Sequence, residues 1–186
     1  MEGNLGPVAS EIQTAFGKVR LVWVPPPSGP KVRRIVLPVS GRPGDREMEE
    51  LPVHAVPDGR IGTLAEAIQA FLDGQDVNFD LGILDWDRCP PFQRRVLLAE
   101  HAIPRGYVST YGRIAAHLGK PKAGRAVGNA LARNPFPIVI PCHRALRSDG
   151  SLGGFQGGPA MKRRLLEMEG VRFRGDGRVT LERVWY

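Results

Sequence analysis

Glycine and proline punctuate the second half of this 186-residue chain at close intervals, which restricts that half to short helices joined by turns. Pro90-Pro91 opens a helix at Phe92, because proline suits a first helical turn, where its missing N–H is not needed. Phe92, Val96 and Ala99 share a face of that helix, which runs to about Ala102 and is broken by Pro104-Arg105-Gly106. Ser109 or Thr110 caps a second helix, Tyr111 to Leu118, closed by Gly119. A third runs from Arg125 to Arg133 and stops at Asn134-Pro135, since the residue before proline avoids the α region. Two short helices around a Gly/Pro turn make a helix-turn-helix pattern, although many helical domains contain such a pair. Ile138-Val139-Ile140 reads as a short buried extended segment, and Pro141-Cys142-His143-Arg144 follows at once. After a turn at Ser148-Asp149-Gly150 and a glycine-rich loop from Gly153 to Gly158, a last helix spans Pro159 to Glu169. Met161, Leu165 and Leu166 face inward from it, and Gly170 stops it. The tail Val171–Tyr186 alternates around Asp176-Gly177 as a hairpin.

The first half is patterned differently. Phe16–Val24 and Val32–Val39 read as the strands of a hairpin, separated by the turn-forming run Pro25 to Pro30. Ser40 to Glu50 is polar and reads as a surface loop. Thr63 caps a helix that carries Leu64, Ile68, Phe71 and Leu72 on one face to Asp73, with Gly74 as its stop. Asp85 to Pro91 is the junction, so residues 1–89 are expected to form an N-terminal α+β domain and residues 90–186 a helical one.

Charge divides at the same place. Residues 1–90 hold 9 Lys and Arg against 13 Asp and Glu, whereas residues 91–186 hold 17 against 6. An acidic half and a strongly basic half point to a polyanion partner held by the C-terminal half, against the plainer reading of a basic soluble surface. Two cysteines exclude a disulfide scaffold and a four-cysteine zinc site. No apolar run approaches the roughly 18 residues of a membrane span, and Met1-Glu2-Gly3-Asn4 is no signal peptide. A cytoplasmic protein with no membrane partner is expected.

Cys142 carries the strongest chemical signal. Pro141 fixes the backbone before it, while His143 and Arg144 supply a field that favours thiolate. An inert buried cysteine is the alternative, and it is the reading given to Cys89 in Arg88-Cys89-Pro90.

The segment from Arg125 through Asn134-Pro135 to Pro141-Cys142-His143-Arg144 resembles the signature of the O6-alkylguanine-DNA alkyltransferases. The likeness extends to Pro91-Phe92-Gln93, Ile103-Pro104-Arg105-Gly106, Tyr111-Gly112, the glycine-rich loop and Glu169-Gly170, and so covers about residues 90–170. It implies an α/β (α+β) protein, with an N-terminal β-rich ribonuclease-H-like domain and a C-terminal winged-helix-like domain containing the helix-turn-helix. It implies a monomer that needs no cofactor and no metal and takes as partner double-stranded DNA containing O6-alkylguanine. The implied reaction is single-turnover transfer of the alkyl group to Cys142, with O4-alkylthymine as a further substrate. Cys142 resembles the acceptor, His143 the base that acts through a water, Glu169 the acid that orients His143, and Asn134 the residue that ties the turn to the cysteine segment. By itself Glu169 would read as a solvated acid at a helix end, where it opposes the dipole. Tyr111 resembles the residue that helps extrude the base, Arg125 the one that fills the gap in the stack, and Ala126 and Gly128 the small helix face that approaches the minor groove. Without the likeness, Tyr111 reads as a half-buried core residue, Arg125 as solvated, and the small face as close helix packing.

Four positions depart from the pattern, the first being Leu97, which follows Val96 where tryptophan is frequent. Ala145 stands where valine is usual, Phe155 where tyrosine is, and Gln156, before Gly157, where a small residue is. With the Gln156 side chain in solvent, a net wider pocket that accepts benzyl adducts is expected. A relative that flips and marks lesions without transfer is the alternative function, but such proteins replace the cysteine that Cys142 supplies.

Overall fold

The computed structural model describes residues 6–25, 29–38, 50–57 and 59–186, which fall into two compact units, Met1–Arg88 and Cys89–Tyr186. The loop expected at Ser40–Glu50 lies almost wholly outside the described residues, as does the turn at 26–28.

The first unit holds an antiparallel sheet in the order β1-β2-β3, with β1 Val8–Thr14, β2 Gly17–Val24 and β3 Lys31–Val36. Helix α1, Arg60–Leu72, buries Ile61, Leu64, Ile68, Phe71 and Leu72, while Ala9, Val19, Leu21 and Ile35 are buried in the sheet. Strand β1 went unread in the sequence because Ser10, Glu11 and Gln13 interrupt its apolar residues, and pairing with β2 along its whole length stabilises it. Thr63 does not cap α1. The helix starts at Arg60 after Gly59, whose φ of 82° is costly for other residues, and the Thr63 hydroxyl donates to the Gly59 carbonyl from inside the first turn. Val39 is outside the described residues, and β3 ends at Val36.

The second unit contains α2 Pro91–His101, the short parallel pair β4 Ser109–Thr110 and β5 Ala145–Leu146, α3 Tyr111–His117, α4 Gly124–Ala132 and α5 Gly158–Met168. Thr110 caps α3 through its hydroxyl, which accepts from the Arg113 N–H. Gln93 on α2 donates to the carbonyls of Ala130 and Arg133, so the end of α4 is capped from another helix. The tail turns at Asp176-Gly177, pairs Phe173 with Val179, and runs Val184 beside Val108. Its last residue, Tyr186, stacks on His117 at 3.7 Å and donates to the Ala99 carbonyl, tying α3 to α2. Among the described residues no helix is long and apolar enough to cross a membrane.

The segment Ile138–Ile140 is buried, but it is not extended. Ile140 N–H donates to the Phe136 carbonyl and Ile138 has a φ of 76°, so the chain makes a tight turn there. Asn134 decides this geometry: its side chain accepts from Phe136 N–H and donates to the Ile140 carbonyl, closing both ends of the turn. A β-branched residue at positive φ is strained, and such strain collects where neighbouring groups over-determine the backbone.

Candidate active site

Pro141 delivers the chain from this turn into a single 3₁₀ turn, Cys142–Arg144, whose three side chains are buried. Asn134 Nδ2 also donates to Cys142 Sγ at 3.2 Å. A donor aimed at sulfur favours thiolate over thiol, so one buried amide both shapes the turn and prepares a nucleophile.

Glu169, the residue that ends α5, reaches this turn from 26 positions away, and its Oε1 lies 2.8 Å from His143 Nε2. The plain reading of a solvated helix-end acid is excluded, because Glu169 is 8% exposed. Arg144 grips the same carboxylate with Nε at 2.9 Å and Nη2 at 2.8 Å, and its third nitrogen donates to the Ile103 carbonyl at 2.6 Å. Burial opposes the carboxylate, yet His143 and Arg144 outweigh it and hold Glu169 at about 2. Burial pushes the His143 imidazole below its ordinary value against the pull of Glu169, so the ring is neutral and able to accept a proton. Arg144 was valued in the sequence only for its local field; the fork geometry that makes it the clamp of Glu169 is a tertiary fact.

The arrangement makes the fold acid-sensitive. Glu169, at about 2 in the fold and 4.5 ordinarily, stabilises fully above 4.5 and loses that contribution as the pH falls through 2. The shift corresponds to on the order of 3 kcal/mol. His143, depressed from 6.5, refuses a proton that the unfolded chain accepts, so stability falls below 6.5 as well. The urea midpoint is expected to drop steadily from about pH 7 to about pH 3, and Glu169→Gln is expected to flatten the lower part of that curve. A midpoint independent of pH over this range would contradict the assignment.

The glycine-rich loop closes the site. Gly153 has a φ of 66°, and a Cβ there would stand 2.5 Å from the Tyr111 hydroxyl, so the half-buried Tyr111 lies against the loop. A Cβ on Gly157 would overlap Met161. Phe155 packs edge-on to His143, with ring centroids 6.1 Å apart. Ala145 is fully buried beside the 3₁₀ turn. Gln156 corrects the expectation of a solvent-facing side chain: it is 5% exposed, and its Nε2 donates to the Asn134 carbonyl. That carbonyl lies at a buried chain reversal after α4 and needs a donor, which the Gln156 amide supplies. The wider entrance inferred from a solvent-facing Gln156 therefore loses its basis.

Helix α4 turns Val127, Ala130 and Leu131 inward and leaves Arg125, Ala126 and Asn129 exposed, with Gly128 half-buried against the Tyr111 ring. The exposed face is thus small and basic, a shape that admits close approach of a polyanion. Two further buried ionisable residues, Glu100 and Lys162, escaped the sequence reading. Their signal was their spacing: Glu100 lies four residues after Val96, and Lys162 three before Leu165, both on inward faces.

Residues 91–171 match the family described as 6-O-methylguanine DNA methyltransferase, DNA binding domain. The chain is 52% identical over 119 residues to a methylated-DNA–protein-cysteine methyltransferase of Methanothermobacter thermautotrophicus, covering 64% of this chain and 66% of that one. A protein of the same name from Mycobacterium bovis is 39% identical over 133 residues, covering 71% of this chain and 79% of that one. Among solved structures, the crystal structure of Mycobacterium tuberculosis OGT in complex with DNA is similar at a TM-score of 0.70 and 30% identity, covering 87% of this chain and 91% of that one.

Proposed function

Because the chain belongs to the 6-O-methylguanine DNA methyltransferase family, we propose that Cys142 is its alkyl acceptor and that the groups around it make the thiolate. The activity is direct-reversal DNA repair, and its partner is DNA. In the proposed reaction the Cys142 thiol gives its proton through water to neutral His143, whose Nε2 is held by Glu169. The sulfur attacks the alkyl carbon, a C–S bond forms, and the bond from that carbon to guanine O6 breaks. The released electron pair leaves with the base, which takes a proton and returns as guanine. A thioether has no ready leaving group, so each molecule acts once.

The lesion's O6 is out of reach inside a duplex, so the base must be turned out toward the buried sulfur. On this reading the α4 face of Arg125, Ala126 and Gly128 meets the minor groove, with Arg125 filling the gap that the base leaves. Tyr111 stands between that face and the glycine-rich loop. Ala145, Phe155, Gln156 and Gly157 line the pocket for the base. We further propose that the chain works in the cytoplasm, where the DNA of the archaeal and bacterial sources of its relatives lies.

The observation that carries the assignment is the Asn134-to-sulfur hydrogen bond next to the His143–Glu169 pair. Intact-mass measurement after incubation with excess duplex containing O6-methylguanine tests it. One methyl group per chain, mapped to the peptide that contains Cys142, is expected. Continued turnover, or a methyl group on Cys89, would refute it.

A further inference from the structure

The loop from Gly153 to Gly158 has four glycines among its six residues, two of them at positive φ. Holding it in one conformation therefore costs more entropy than an ordinary loop of that length. Its middle is a turn, closed by the Gly158 N–H donating to the Phe155 carbonyl at 3.1 Å, with Gln156 and Gly157 at the corner. A polar side chain at a loop corner ordinarily points to solvent. Gln156 is instead buried, and its Nε2 donates to the carbonyl of Asn134, 22 positions back in the chain. Lys162 Nζ also reaches the loop, at the Gly154 carbonyl, but that contact is long at 3.4 Å, and its short bond of 2.6 Å goes to the Ala145 carbonyl. The partner of Gln156 is stiff. Asn134 N–H donates to the Leu131 carbonyl at 3.0 Å, its Oδ1 accepts from Phe136 N–H at 2.8 Å, and its Nδ2 donates to the Ile140 carbonyl at 3.1 Å. A carbonyl framed in this way keeps its place whether the loop is shut or open, so the bond acts on the loop.

We propose that Gln156 is a positioning residue for the transfer and sets its preference for small adducts: anchored on the Asn134 carbonyl, its amide holds the glycine-rich loop shut against the site. The inference rests on Cys142 being the acceptor. The same Asn134 donates to Cys142 Sγ, and Phe155, the neighbour of Gln156, packs edge-on to His143. One hydrogen bond thus fixes how far the loop stands from the groups that do the chemistry. A base carrying a methyl group gains from walls fixed at that distance, because transfer needs the alkyl carbon held near contact with the sulfur. A benzyl group adds a phenyl ring to that methyl and must displace whatever wall is fixed there, so the same bond works against it. Without the amide, the Asn134 carbonyl is left buried without this donor, and the glycines free the loop to move.

The test is hydrogen exchange of the peptide that spans the loop, read beside single-turnover transfer from a duplex containing O6-methylguanine and from one containing O6-benzylguanine. Gln156→Met keeps the length and volume of the side chain but has no donor. In it the loop amides are expected to exchange about tenfold faster, while those of α2 and α4 exchange as in wild type. The ratio of benzyl to methyl transfer rates is expected to rise about fivefold, chiefly because methyl transfer slows. Gln156→Ala, which empties the space as well, is expected to raise both quantities at least as far. A loop that exchanges at the wild-type rate in Gln156→Met, or a rate ratio that does not rise, overturns the proposal. Both rates falling by one factor would mark a merely structural role. Hydrogen exchange needs no DNA. If no protein accepts an alkyl group from either duplex, the functional reading fails, while loop exchange in wild type and Gln156→Met still decides whether Gln156 holds the loop.

Discussion

Cys142→Ala is expected to abolish alkyl transfer altogether while duplex containing O6-methylguanine is still bound. The sulfur is the soft nucleophile of the proposed site, whereas His143 is turned by Glu169 to serve as its base and Asn134 offers only an amide. Binding, in contrast, draws on the exposed α4 face and the basic half of the chain, neither of which the substitution touches. Removing the sulfur leaves little unsatisfied, since Asn134 Nδ2 keeps its bond to the Ile140 carbonyl. Mass spectrometry and a binding titration at one fixed salt concentration check both halves. Residual transfer in Cys142→Ala would move the chemistry elsewhere, and loss of binding along with transfer would mean that the substitution unfolds the site.

The second large effect is expected at Asn134. Asn134→Ala deletes an acceptor for Phe136 N–H and donors for the Ile140 carbonyl and Cys142 Sγ, all in a buried setting. Taking this acceptor from the buried Phe136 N–H costs about 1–3 kcal/mol, while the Ile140 carbonyl keeps the Cys142 N–H as its donor. That cost is an appreciable part of the 5–15 kcal/mol that holds a typical domain together. The strained Ile138 then loses the contacts that hold its φ of 76°. Urea unfolding is expected to report a loss of about 2–3 kcal/mol. At temperatures where the variant is still folded, transfer is expected to slow about 100-fold, because the sulfur has lost its donor and its fixed place. Asn134→Asp separates the two effects. Its carboxylate can still accept from Phe136 N–H, but it sets a negative charge against the thiolate, so it should recover some stability and no activity. A loss below about 1 kcal/mol in Asn134→Ala would show that the turn closes without this side chain.

Much of this site was legible before any folding was considered. Helices α2 to α5 fall within a residue or two of where proline, glycine and apolar spacing put them, because caps, breakers and faces act over one or two helical turns. The division of charge and the Pro141-Cys142-His143-Arg144 run are also properties of the chain alone. The roles expected of Glu169, Tyr111 and Arg125 came from resemblance to a family, and no periodicity would have singled them out.

What only the tertiary structure decided is who meets whom across long separations. Glu169 became a partner of His143 and Arg144 because the end of α5 packs against the 3₁₀ turn. Ile138–Ile140 turned instead of extending because Asn134, four to six residues earlier, offered it a buried hydrogen-bonding frame. Gln156 left solvent for the interior because a buried carbonyl lay within its reach. Glu100 and Lys162, 62 positions apart, are both buried although charged residues usually stay in solvent, and the helices that carry them, α2 and α5, each pack against the 3₁₀ turn. Local sequence sets propensity and pattern within a few residues, whereas burial, and with it the charge state of an acid or a lysine, is fixed by groups that the chain brings together only on folding.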